Sequence, residues 1–172
     1  MEDISDVYLT DFVPSVYTSP CTMYYKQNEK QRKWHIFAER NGVVIILYNS
    51  TRDVLILKIK TPTTAQIAKE EILEECGYDV AISHLEQIGT IKNLSVTTGA
   101  RSTFYYCEVT DEMRVSKGGG EEGENVEVVE MPTTEVINYA TNPEYVSSPV
   151  NFMYGLYWFL YNKYDKSKNG FK

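Results

Sequence analysis

Residues 69–80 read KEEILEECGYDV and carry four glutamates within the six positions from 70 to 75. As a helix starting near Thr63 or Thr64, the segment sets Ala65, Ala68, Ile72 and Cys76 on one face, at spacings of three and four. That face belongs to a core. Glu71, Glu74 and Glu75 then share another face, with Glu70 one turn from Glu74. Glu70 with Glu74 and Glu71 with Glu75 are like-charge pairs, each unfavourable by about 0.2–0.5 kcal/mol. Gly77 suits the position just past the last turn, which leaves Glu74 and Glu75 at the negative end of the helix dipole for about 0.3–1 kcal/mol more apiece. A bound cation reverses both penalties, and a hard divalent ion such as Mg²⁺ takes one or two carboxylates with waters and substrate phosphates. The same run reads equally as a solvated acidic face.

A chain of 172 residues is about one domain long. Its net charge of −7 and pI near 4.9 argue against a nucleic-acid surface, since no basic stripe is present, and a polyanionic substrate would enter only with metal ions. Cys21, Cys76 and Cys107 form no CxxC pair and are odd in number, which disfavours a disulfide framework or structural zinc and fits a reducing cytosol. The acidic N-terminus lacks the apolar core of a secretory signal, and the most apolar run, residues 152–161, is too short to span a bilayer. The expectation is a soluble cytoplasmic protein with no membrane partner.

Along the chain, residues 7–12, 22–27 and 33–39 read as strands, separated by a loop at 14–20 and a polar turn at 28–31. Residues 42–48 (GVVIILY) and 53–59 (DVLILKI) are the two strongest strands, apolar enough to be central and joined as a hairpin by 49–52. Thr61 and Pro62 mark a stop before the acidic helix. Strands are expected at 82–91, 102–109 and 126–131, and a mobile acidic loop at 117–125 (KGGGEEGEN). Thr133 or Thr134 can cap a short helix to about Tyr139. Ser148 and Pro149 supply the cap and first residue of a last helix reaching about Tyr164.

The acidic helix resembles the signature helix of the Nudix hydrolases, whose consensus ends R-E-U-x-E-E-x-G-U with U a bulky apolar residue. Glu71, Ile72, Glu74, Glu75, Gly77 and Tyr78 take the E, U, E, E, G and U places, while Glu70 stands where the family has arginine. The loop at 97–101 ahead of STFYYCEV, and the stretch 118–132, resemble the UDP-sugar and ADP-ribose branch. The resemblance implies a single α/β/α Nudix-like domain over residues 1–172 with a mixed sheet. Residues 41–172 would form the core, and residues 1–40 a small antiparallel sheet that in the family helps form a homodimer.

It implies a Mg²⁺-dependent hydrolase, with Mn²⁺ as substitute, that splits a nucleoside diphosphate sugar into a nucleoside monophosphate and a sugar phosphate. UDP-glucose is the first choice of substrate and ADP-ribose the second. Carried over residue by residue, Glu71 and Glu75 bind metal and Glu74 assists a ligand or a bound water. Glu122 and Glu124 match the catalytic glutamate of a mobile loop, where closure can complete a site. Arg101, with Thr98 and Gly99, is assigned to substrate, since a guanidinium fork suits phosphate oxygens.

One departure stands out. The family's box opens with a glycine and a further glutamate, but Ile56 and Pro62 occupy those places here, and the connection from 59 to 63 is too short for the strand and loop that normally precede the helix. It reads as an internal deletion. The expected consequences are weaker metal binding, slow or absent turnover, and a sheet edge that is exposed or re-paired. A catalytically inactive binding or regulatory subunit is therefore the alternative reading.

Overall fold

The computed structural model describes residues 10–13, 15, 18–60, 64–93, 97–120, 127–142 and 148–164, with only the backbone of 59 and 60. The chain divides into two units, the first drawn from Met1–Glu39 with Leu94–Gly99 and the second from Arg40–Asn93 with Ala100–Lys172.

In the first unit, β1 (Thr18–Gln27) and β2 (Lys30–Glu39) pair antiparallel from Thr18↔Glu39 to Gln27↔Lys30. Asn28 and Glu29 join them with φ of 50° and 62°, the two positive angles that a tight two-residue hairpin turn requires. Both strands are longer than the sequence reading gave. Pro20 lies inside β1, and a two-stranded ribbon is all edge, where proline is tolerated. The strand expected at 7–12 does not form over Thr10–Phe12, and its first residues lie outside the described ones. Thr98 bridges to Phe37 within this unit.

The second unit is built on β3 (Gly42–Asn49), whose Val43 to Leu47 are at most 1% exposed. It pairs antiparallel with β4 (Val54–Lys60) and parallel with β6 (Arg101–Val109). β5 (Glu86–Lys92) flanks β6, and the two-residue β7 (Met131–Pro132) flanks β4, giving the order β5-β6-β3-β4-β7. The expected strand at 82–91 begins instead as a 3₁₀ turn over Ile82–His84. The strand expected at 126–131 is reduced to β7, since β4 is engaged only at Val54 and Leu55.

Alternation along the strands divides the core. Val43, Ile45, Leu47, Ile56, Tyr105, Cys107 and Val109 face α1 (Ala65–Glu71) and its continuation through Ala68, Ile72 and Cys76. Val44, Ile46, Leu55, Phe104 and Tyr106 face α2 (Thr133–Thr141) and α3 (Val150–Asn162) through Val136, Ala140, Met153, Leu156 and Phe159. This is the expected α/β/α arrangement with a mixed sheet. The caps differ from expectation: Pro132 and Pro149 sit at the N-cap positions, and Thr133 is buried, donating its hydroxyl to Asp53 Oδ2 at 2.6 Å.

Gly155 lets α3 lie close on the sheet. A Cβ there would stand 2.7 Å from Leu57 Cδ2 and 3.3 Å from Ile46 Cγ1. Gly155→Leu is expected to lower stability by about 1–3 kcal/mol through overpacking, read by chemical denaturation.

Candidate active site

The acidic helix starts as foreseen, with Thr64 Oγ1 accepting from the Ile67 amide at 3.3 Å. After Glu71 it widens into a π-helical turn over Ile72–Cys76, and the Gly77 amide donates to the carbonyls of both Ile72 and Leu73. Gly77 then ends the helix at φ 79°, the left-handed conformation expected of it. The wider turn redistributes the carboxylates, because bonds to the fifth residue change the angular spacing that an α-helix would give. Glu75 turns inward and is 3% exposed, whereas Glu74 is exposed to solvent. Glu71 is half-buried, and Glu70 accepts a 2.6 Å hydrogen bond from Gln66 one turn back. So Glu74 and Glu75 part in exposure, and the foreseen convergence of three carboxylates is not formed. Among the described residues no group of three or more His, Cys, Asp or Glu is arranged to hold a metal ion.

A cation already stands at this place. Lys58, two residues after Ile56 on the same face of β4, puts its Nζ 3.1 Å from Glu75 Oε2. Burial pushes the neighbouring Cys76 thiol up to about 12, with Lys58 opposing that rise and Glu75 and Glu71 adding to it. The ammonium and the Glu75 carboxylate form one ion pair. Lys58 had no sequence signal as a partner of Glu75, seventeen residues away in another element.

The helix end is clamped by a segment expected to be mobile. The Gly119 amide donates to the Glu75 carbonyl at 2.9 Å and the Gly120 amide to that of Glu74 at 3.2 Å, so donors sit on the negative pole of the helix. Gly118, Gly119 and Gly120 have φ of 71°, 114° and 82°, and a Cβ on Gly118 would lie 2.2 Å from the Glu75 carbonyl oxygen. Only glycine fits there. Residues 121–126, including Glu122 and Glu124, lie outside the described residues.

Just beyond, Tyr78 is wholly buried and its hydroxyl accepts from Asn49 Nδ2 at 3.0 Å and Arg52 Nη2 at 2.5 Å. Arg52 also donates to Asp111 at 2.6 Å and to both oxygens of Glu130, and Arg114 reaches Glu130 at 3.2 Å while its guanidinium lies over the Tyr78 ring. The Glu130 bond keeps the Arg52 pKa above its ordinary value. The Asn49 amide, with Arg52, holds the Asp111 carboxyl below the usual carboxylate range. Arg114 Nε further donates to the Ser116 carbonyl at 3.2 Å, tying this network to the root of the triglycine.

Arg101 is exposed at the start of β6, with its amide donating to Asn41 Oδ1 at 2.9 Å. Thr98 is half-buried and Gly99 exposed, and both belong to the first unit.

Glu71 and Glu75 suit a hard divalent ion, for which two carboxylates with waters and substrate phosphates make a sufficient oxygen set. Comparison with known proteins bears on that chemistry. The uridine diphosphate glucose pyrophosphatase of Bos taurus is 28% identical over 213 residues, covering 93% of this chain and 96% of that protein. Its Mus musculus counterpart is 26% identical over the same shares. A GDP-mannose pyrophosphatase of Salmonella arizonae is 28% identical over 141 residues, 66% of this chain and 71% of that protein. Among solved structures, an ADP compounds hydrolase matches with a TM-score of 0.53 at 12% identity, covering 84% of this chain and 94% of its own, a likeness of fold. No protein-family model matches the chain. The aligned span of 213 residues exceeds the 172 of this chain, so the mammalian enzymes carry residues that this chain lacks.

Two outcomes are expected. Gly118→Ala combines a left-handed backbone with a clash against the helix end and should cost at least about 1–3 kcal/mol, measured by denaturation, with faster hydrogen exchange at the Gly119 and Gly120 amides. Because the folded Asp111 pKa is depressed, its contribution to stability is present above its unfolded value of about 3.9 and is lost as pH falls through the folded value. Asp111→Asn should therefore flatten the acid limb of stability plotted against pH.

Proposed function

We propose that the chain is a Nudix hydrolase, of a family that acts on nucleoside diphosphate derivatives and generally uses divalent metal ions, and that it splits a nucleoside diphosphate sugar between its two phosphates. UDP-glucose, giving UMP and glucose 1-phosphate, is the first choice of substrate and Mg²⁺ of metal. The observation that carries this reading is the likeness to the bovine UDP-glucose pyrophosphatase, which runs nearly from end to end of both chains.

Phosphoanhydride hydrolysis needs the charge on the bridging phosphates offset, a water in line and a proton acceptor. A divalent ion at Glu71 and Glu75 would supply the charge neutralisation and lower the pKa of a water it holds. Glu71 and Glu75 provide the oxygen ligands, and the inward turn of Glu75 keeps water from competing for it. Glu74, exposed to solvent, keeps the role of assisting a ligand or a bound water that the resemblance assigns. Glu122 and Glu124 take the base role, carried by a segment whose root, Gly118 to Gly120, is fixed on the helix end. Arg101, Thr98 and Gly99 keep the substrate-binding roles that the resemblance assigns.

A cytoplasmic homodimer completes the reading. Met23, Tyr24, Trp34 and Phe37 are all more than two-fifths exposed on the β1–β2 ribbon and offer it an apolar surface. No helix among the described residues is long and apolar enough to cross a membrane.

A second reading, an inactive binding or regulatory subunit, is favoured by the residues that the mammalian relatives carry and this chain lacks. One panel separates the two: UDP-glucose, GDP-mannose, ADP-ribose, nucleoside triphosphates and diadenosine polyphosphates with excess Mg²⁺. Turnover of UDP-glucose, abolished in Glu75→Gln, is expected. Turnover of triphosphates alone overturns the sugar-nucleotide reading, and turnover of nothing by folded protein selects the inactive subunit. Grafting the strand and loop of a longer relative between Ile59 and Thr63 should raise the rate by on the order of a hundredfold if positioning is what the short connection costs.

A further inference from the structure

Lys58 and a metal ion require the same carboxylate. The ammonium lies 3.1 Å from Glu75 Oε2, with the lysine side chain 17% exposed and the glutamate 3%. Little water reaches the pair, so a second cation on Glu75 would meet Lys58 with weak screening. The two charges come from different layers. Lys58 is carried by β4 in the middle of the sheet sandwich, and Glu75 by the π-helical turn packed over it. The helix itself has an anion, Glu70, where the family carries arginine, and Glu70 is engaged with Gln66 rather than with Glu75. Lys69, the basic residue of the last α turn, is directed to Asp79 at 3.7 Å.

We propose that Lys58 is an internal counter-ion of Glu75 that a divalent metal must displace, so that this lysine sets the metal concentration at which the site fills. Without metal, Lys58 neutralises the buried carboxylate and keeps the helix end on the sheet. When metal binds Glu71 and Glu75, the ammonium swings away from Oε2, and its flexible four-carbon stem permits that without movement of β4. The proposal rests on the metal-binding reading of Glu71 and Glu75.

The test measures Mn²⁺ affinity by calorimetry for the wild type, Lys58→Gln, Lys58→Arg and Glu75→Gln, each first shown to be folded. Lys58→Gln removes the charge yet can still donate to Glu75, and should bind Mn²⁺ at least about tenfold more tightly than the wild type. Lys58→Arg keeps the charge and should stay close to wild type. On the wild type, acetylation of Lys58 by an N-hydroxysuccinimide ester, followed by peptide mass spectrometry with the other lysines as reference, should rise severalfold on saturation with Mn²⁺. Unchanged or weaker binding by Lys58→Gln overturns the proposal, as does equal tightening in Lys58→Arg or unchanged labelling of Lys58. If wild type binds, Glu75→Gln does not, and Lys58→Gln matches wild type, the lysine's role falls while the metal site stands. If neither wild type nor Lys58→Gln binds Mn²⁺, the metal site falls and the proposal with it. Should Lys58→Gln fail to fold, the labelling of the wild type decides.

Discussion

A carboxylate with 3% exposure sets the terms for the middle of this protein. Taking an ion of that size out of water costs several kcal/mol, and losing one partner of a buried ion pair costs about 3–5 kcal/mol. Lys58 meets the inward Glu75 from β4, and Ile56, Ala68, Ile72 and Cys76 bring strand and helix together for that contact. The packing and the charge pair depend on one another. The π-helical turn belongs to the same solution, since it turns Glu75 in and Glu74 out and so avoids burying two anions side by side.

The end of that helix carries a second problem, unpaired carbonyls beside acidic side chains at the negative pole of the dipole. The chain answers it with backbone rather than with lysine or arginine. Gly119 and Gly120 donate to the Glu75 and Glu74 carbonyls, while the Val115 and Ser116 amides donate to that of Gly77 at 2.8 and 3.2 Å. Backbone donors answer the helix carbonyls, and Lys58 on β4 answers the Glu75 carboxylate. The Arg52–Glu130–Arg114 network around Tyr78 then fixes the segment that supplies these donors, so the glycine clamp has a rigid anchor behind it.

Periodicity made the layers legible. The apolar runs of β3 and β4, the spacing of Ala68, Ile72 and Cys76, and the glycine after the last turn each follow from local chemistry, and each forms as the sequence implies. Short-range reasoning failed where distant partners decide. The triglycine reads as flexible because glycine has no side chain to pack, yet that is what lets its backbone approach the helix within hydrogen-bonding distance. The ionic network was not foreseen, since Tyr78 meets Arg52 and Asn49 across 26 and 29 positions and Arg52 meets Glu130 across 78. The reduction of the expected strand at 126–131 to two residues likewise depends on which part of β4 it meets, and no local pattern encodes that.

The outer side of β4 connects fold to function. Val54 and Leu55 pair with β7, but from Ile56 to Lys60 the strand has a neighbour only on the β3 side among the described residues. Unpaired backbone along such an edge invites association with another chain, and lysine is the residue that most often discourages it. The unpartnered half of β4 is the half that carries Lys58 and Lys60, after an apolar first half. Lys58 thus has two reasons to be there that need no metal: it blunts an edge and it neutralises Glu75. With Lys58 on Glu75, the chain holds its most buried carboxylate against an internal cation. The cost falls on the metal, which must compete with a cation that the fold itself supplies, so stability without metal and readiness to bind it are opposed at the same oxygen atom.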